Sequence, residues 1–201
     1  MRYIAKKTLV IDPELHSPEW EKAQVGQIAV NRWGEYTPAP DTAFRVLCGP
    51  RGISVLMHTC ERNLRCECHT QNGEVYKDSC MEFFLKPDNH DTRYLNFEFN
   101  PLGILRLGLG ESRHGRTPIE ADREIFSIVS EAKEGDWWLK FYIPYAFLEE
   151  HFAKVSPVCR GNFYKCGDAT DHVHYGAWSE VETPTPDFHV PDFFGKIQWG
   201  E

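Results

Sequence analysis

Apolar residues along this chain recur at every second position far more often than at every third or fourth. From Arg93 to Asn100 the alternation is clean, with Leu95, Phe97 and Phe99 on one side and Tyr94, Asn96 and Glu98 on the other. A period of two predicts a strand with one face buried and the other wet or lining a site. Phe44 to Cys48 and Ile53 to Thr59 are joined by Gly49-Pro50-Arg51-Gly52, a hairpin signal. Further strands are expected over Cys80 to Lys86, Gly103 to Leu109, Glu124 to Ser130, Trp137 to Ile143, Asn162 to Cys166 and Lys196 to Trp199. Helical signals are confined to two places. Ser17 caps a short turn that begins with Pro18, and Pro144 to Phe152 supports roughly two or three turns. Strands at intervals of about 10–15 residues without βαβ alternation predict an all-β, antiparallel β-sandwich, jelly-roll-like, with one or two short helices. With no internal repeat or linker, residues 1–201 read as one domain.

Composition narrows the function classes. The formal charge is −8, so a phosphate-backbone reader or an anionic lipid surface is a poor partner, and no nucleic acid or membrane is expected. The longest aliphatic runs, such as Ile53 to Met57, are far too short to span a bilayer. The basic N-terminal residues are followed only by Thr8 to Ile11, too short for the apolar core of an export signal. The seven cysteines then read as reduced thiols in a cytoplasmic protein.

Several constellations could carry chemistry. Cys66-Glu67-Cys68-His69, with Cys60 and Cys80 around it, invites a zinc reading, but a one-residue gap is shorter than structural zinc pairs use. Asp168, Asp171, His172 and His174 form a second polar cluster, with His189 and Asp192 further on, and the alternate histidines could ligate a metal from one strand face. Glu82 and Glu98 could form an acid/base pair on neighbouring strands. A glycan-processing enzyme using Glu82 and Glu98, or a metal-dependent hydrolase using His172 and His174, is therefore the alternative. No H-E-x-x-H, G-x-S-x-G or P-loop pattern is present. Aromatics make up 13% of the chain, and while most must fill a core, Tyr76 and Trp178 stand in polar company. A sugar has an apolar C–H face and a hydroxyl rim, and its binder needs a flat ring edged by polar side chains.

Tyr76 to Leu85, Tyr94 to Gly103, Trp138 to Pro144, Gly161 to Asp168 and Pro186 to Gly195 together resemble the carbohydrate-binding module family nine group, in its cellulose/xylan-binding-like branch. The resemblance implies a β-sandwich without catalysis of its own, holding a sugar at a chain end between two tryptophan rings, with calcium ions bracing the loops. In the match from Asp78 to Glu82, Glu82 corresponds to the sugar-binding carboxylate, and Tyr76 falls where the first tryptophan stands. Trp178 is the candidate for the second ring and Asn162 for the amide, with Arg113 or Lys165 as the basic group. A tyrosine in place of the first tryptophan offers a smaller stacking face. No EF-hand loop supports calcium, so no cofactor is expected beyond that possibility.

Overall fold

The structure is a computed structural model that describes residues 1–200. In chain order the strands are β1 (Arg2–Lys7), β2 (Gly26–Gln27), β3 (Thr42–Cys48), β4 (Gly52–Thr59), β5 (Cys80–Lys86), β6 (Tyr94–Phe99) and β7 (Leu105–Gly110). They continue with β8 (Arg116–Pro118), β9 (Val129–Lys133), β10 (Asp136–Pro144), β11 (Val158–Cys166), β12 (Tyr175–Ala177) and β13 (Gly195–Trp199). Among the described residues the one α-helix, α1, spans Tyr145–His151. Hydrogen bonds run along the path β8-β7-β6-β5-β11-β13-β1-β3-β4-β10-β9, with β12 added to β11 and β2 to β3. This path folds into two layers, as a sandwich requires.

The fold line is β1. Its residues Arg2 to Ala5 pair in parallel with β13, and Lys6 and Lys7 pair in parallel with β3, so one strand stitches both layers. Between the layers lie the inward residues of the alternating strands. Phe83, Phe97 and Phe163 come from one sheet and Phe44, Val55, Phe141 and Ile143 from the other. The Phe163 ring lies flat on Phe44 at 3.6 Å and on Phe83 at 4.3 Å between centroids, carrying one stack across both layers. Gly161 allows this close packing, because a Cβ there would lie 2.7 Å from the Phe84 carbonyl oxygen.

The expected hairpin forms between β3 and β4, closed by the Gly49 amide donating to the Gly52 carbonyl at 2.9 Å. The Ser17 signal gives a 3-10 turn over Pro18–Lys22, whose Trp20 is buried on the outer face of the second sheet with Leu47 and Leu56. One expected strand is corrected. Over Glu124 to Ser130, Asp122 instead caps a 3-10 turn at Arg123–Phe126, and Ser127 leaves it with a φ of 44°, so β9 starts only at Val129. The capping carboxylate offers the backbone a local partner before any neighbouring strand can.

All six residues of β6 are buried, including the polar face that the alternation left open. That second face is covered by a smaller aromatic cluster containing Trp33, Tyr94, Tyr164, Phe188 and Phe194. It leaves a gap at one end of β5, β6 and β7, where the charged residues gather.

Candidate functional site

Strand register builds the floor of this gap. Tyr164 on β11 lies opposite Glu82 on β5, Glu82 opposite Glu98 on β6, and Glu98 opposite Arg106 on β7. Two carboxyl groups thus face each other as a direct cross-strand pair, an arrangement that is unfavourable when both are charged. Tyr76 enters from a 3-10 turn at Val75–Lys77. Phe188 and His189 close the far side, and Arg113, Arg116, Asp168 and Tyr175 complete the wall of a cleft of about 250 Å³.

Hydrogen bonding settles how the charges coexist. Glu98 accepts from the Asn96 amide at 2.7 Å and from Arg116 at 3.3 Å, and Arg106 stands 3.8 Å from its other oxygen. Glu82 accepts from the Cys166 thiol at 3.0 Å. Burial and the Glu98 charge push the Glu82 carboxyl up to about 8, opposed by the Cys166 hydrogen bond and Arg116. Burial also raises Glu98, but Arg116 and Arg106 favour its ionised form. At neutral pH the pair therefore keeps its proton on Glu82 and its charge on Glu98. Burial holds His189 far below the ordinary histidine range, and Arg116, Arg113 and Arg106 push it the same way. It is a neutral ring whose Nδ1 meets the Tyr94 hydroxyl at 2.9 Å.

The walls are held from behind. Asp78, fully buried, accepts from the Glu67 and Cys68 amides at 3.0 and 2.9 Å and from the Asn100 side chain at 3.0 Å. In the Asp78-to-Glu82 motif the first carboxylate is thus a loop anchor and the second faces the cleft. The guanidinium of Arg106 sits 5.4 Å over the Tyr76 ring and donates to the Asn72 and Gly73 carbonyls, both at 3.0 Å. Arg113 donates to Asp187 at 2.9 Å, tying β8's approach to the segment that carries Phe188.

Of the residues expected from sequence, Tyr76, Glu82 and Arg113 come together, and Trp178, Asn162 and Lys165 do not. Trp178 is a core residue, set edge-on to Tyr3, Phe44 and Phe163 and over Gly195. The Asn162 amide is spent on backbone, donating to the Ser179 carbonyl at 2.8 Å and accepting from the Ser179 and Phe163 amides. Lys165 points to the opposite side of β11 from Tyr164 and is wholly buried, bonded to Glu61 at 2.8 Å and to His174 Nε2 at 2.9 Å.

This also corrects the metal alternative. His174 directs Nδ1 to the His172 carbonyl at 2.7 Å and Nε2 to Lys165, so neither nitrogen is free. Burial and the Lys165 charge lower it to about 4. In the cysteine-rich loop, the Glu67 and Cys68 amides serve Asp78, and Cys66 and Cys68 are half-exposed thiols. Among the described residues, the side chains grouped closely enough for a metal are Cys80, Glu82 and Cys166, within 4.8 Å of one another. Two thiols do not fit calcium, which takes an all-oxygen shell.

Arg106, Arg116, Tyr175 and Phe188 were not anticipated, and Asp168 and His189 were read only as metal-cluster residues. The signal for Arg106 was present: it alternates with Leu105 and Leu107 in the expected strand from Gly103 to Leu109.

A sandwich bearing a small cleft on one outer face, walled by aromatic rings and edged by ionic side chains, has the build of a carbohydrate-binding module. The chain belongs to carbohydrate-binding family 9, whose sequence profile matches residues 14–199. No curated relative matches it in sequence. Among solved structures it is similar to a "putative carbohydrate-binding protein" from Bacteroides uniformis, at 28% identity over 98% of both chains with a TM-score of 0.88. It also shares its fold with a family 9 module from Caldicellulosiruptor kristjanssonii in complex with glucose, at 14% identity over 100% of this chain and 97% of that one, with a TM-score of 0.70. A family 9 module from the same organism in complex with cellotriose gives 14% identity over 100% of this chain and 95% of that one, with a TM-score of 0.67.

Proposed function

We propose that the cleft binds a soluble sugar or the end of an oligosaccharide, without catalysis. The observation that carries this is the joining of the Tyr76 ring with Glu82, Glu98 and three arginines around one opening of about 250 Å³. That volume sits just below the range of drug-sized pockets and suits a single ring better than a buried chain. Protonated Glu82 can donate to one sugar hydroxyl while the guanidiniums donate to others, and ionised Glu98 fixes where the guanidiniums point. Glu98 has both oxygens engaged by Asn96, Arg116 and Arg106, which suits a positioning carboxylate rather than a nucleophile. The glucose and cellotriose complexes of family 9 modules from Caldicellulosiruptor support sugar as the ligand class.

The test is a melting screen against glucose, cellobiose, xylobiose and their longer oligomers, followed by calorimetry. A ligand at a hundred times its Kd adds about 2.7 kcal/mol, which is a shift of roughly 5–11 °C for a domain of this size. Tyr76→Ala and Glu82→Ala should each weaken binding at least about tenfold in a protein that still folds. Unchanged affinity in both variants ends the proposal, and aryl-glycoside turnover by the purified protein would replace it with the enzyme reading.

Two further parts of the reading are proposed with it. Residues 1–201 act as one domain, supported by the pairing of β1 with β13 from opposite chain ends. The compartment is reducing and cytoplasmic, supported by seven free thiols; a count of alkylatable cysteines in freshly lysed cells tests it.

A further inference from the structure

Away from the cleft, on the same outer face and at the other end of the strands, four basic side chains stand in one lateral row. Lys86 on β5 is the direct partner of Arg160 on β11. Arg160 is the partner of Lys196 on β13, and Lys196 is the partner of Arg2 on β1. Partners in register project to the same face. The row thus crosses four adjacent strands in about 14 Å, one cation per strand spacing.

Three features set this row apart from ordinary surface charge. First, the protein as a whole carries a formal charge of −8, so the concentration of cations here is not a consequence of composition. Second, among the described residues none of the four makes an ion pair within 4.0 Å: Arg160 donates to the Phe194 carbonyl at 3.1 Å and Arg2 to Gln198. Asp91, the acidic group beside Lys86, is already held by Arg93, and Asp192 is the acidic side chain of the hollow itself. Third, like charges directly opposite one another across strands destabilise a sheet. A row of four in which every neighbour is a like charge opposes folding, and an anion laid along it would relieve that repulsion. Lys86, Arg160 and Lys196 edge an open hollow of about 370 Å³.

We propose that this row is a second glycan contact, one that takes an acidic polysaccharide across the strands through the carboxylates or sulfates of successive sugars. The choice of a polysaccharide among polyanions rests on the sugar-binding reading of the cleft and is supported by the lining of the hollow. No aromatic side chain lines it, so what it holds is held by charge and hydrogen bonds to acidic groups rather than by ring stacking, which leaves single-stranded nucleic acid without a platform for its bases.

The experiment measures binding of polygalacturonate, heparin and neutral dextran to the full chain, as a function of salt, with single-stranded DNA as competitor. Polygalacturonate separates carboxylate recognition from the sulfate recognition that heparin reads. The expected result is salt-sensitive binding of one or both acidic polymers, none of dextran, and a loss of roughly tenfold in Arg160→Gln/Lys196→Gln. That double variant should leave any monosaccharide affinity of the cleft unchanged and should melt higher than the parent in the absence of polymer, because all three like-charge contacts of the row are gone. Acidic-polymer affinity that survives the double substitution, absence of binding to both acidic polymers, or tighter binding of DNA than of either would overturn the proposal. Failure here with intact sugar binding leaves the cleft reading standing, and the converse holds.

Discussion

Replacing Glu82 by glutamine should make the protein's stability less dependent on pH. In the native state the Glu82 carboxyl is raised from the ordinary 4.5 to about 8 by burial and by the charge on Glu98. In the unfolded chain it titrates normally, so between these values the native state holds a proton that the unfolded state has released, and stability falls as pH rises. The contribution is complete below about pH 4.5 and lost above about 8. A difference of about 3.5 units at 1.36 kcal/mol each gives a span of about 5 kcal/mol. Within it, the step from pH 6 to pH 8 accounts for about 2 kcal/mol, because the curve flattens on approaching 8. For a domain of this size that is a fall of about 5–9 °C in Tm. The glutamine amide does not titrate and still offers a donor and an acceptor to Cys166 and its neighbours. Melting curves of the parent and Glu82→Gln at half-unit steps from pH 5.5 to 8.5 should therefore converge at low pH and separate as pH rises, with the parent falling faster. Titrating groups away from the pair are common to both proteins and cancel in the difference, and Glu98 exchanges a protonated neighbour for an equally neutral amide over most of this range. Parallel profiles would refute the assignment of the shared proton to Glu82.

Three other outcomes follow from the packing. Trp178→Ala removes an indole buried between the sheets and should cost about 3–5 kcal/mol in chemical denaturation, with sugar affinity of the folded fraction unchanged. Asp78→Ala strands the amides of Glu67 and Cys68 and should cost about 3 kcal/mol, and increased proteolysis of the loop from Arg65 to Gly73 would report the loosened wall. Lys165→Met leaves the Glu61 carboxylate buried without its cation and should cost about 3–5 kcal/mol; adding Glu61→Leu should recover most of it, as urea midpoints of the single and double variants would show.

Much of the architecture was legible from local chemistry. The β3–β4 hairpin, the near-complete β5 and β6, the Ser17 cap and α1 rest on residues close in sequence, whose alternation, turn glycines and capping side chains act before any distant partner arrives. Strand β1 was not anticipated, because Tyr3 and Ala5 alternate too briefly and its two parallel partners lie at the far end of the chain and forty residues on. The same distinction divides the candidate site. Tyr76, Glu82 and Arg113 were named from residue type and motif, and all three line the cleft. Trp178 was equally aromatic in equally polar sequence company, yet it lies in the core.

What the sequence by itself determined is the strand pattern, the family and the residue types that could meet a sugar. What only the tertiary structure decided is which of them share a space. Alternation assigns a side chain to one of two faces but does not say which face is the core, and for Lys165 and Trp178 that choice placed them against Glu61 and Phe44 instead of the opening, while Asn162 shares the outer face of β11 with Tyr164 but is covered there by the Ser179 backbone. Lateral register then set the neighbours. Glu82 meets Glu98, Glu98 meets Arg106, and Lys86 meets Arg160 because hydrogen-bonded strands bring together positions sixteen, eight and seventy-four residues apart in the chain. Charge pairing, and with it the proton on Glu82, depends on distances of a few ångströms across strands, and those distances exist only once the sheet has formed.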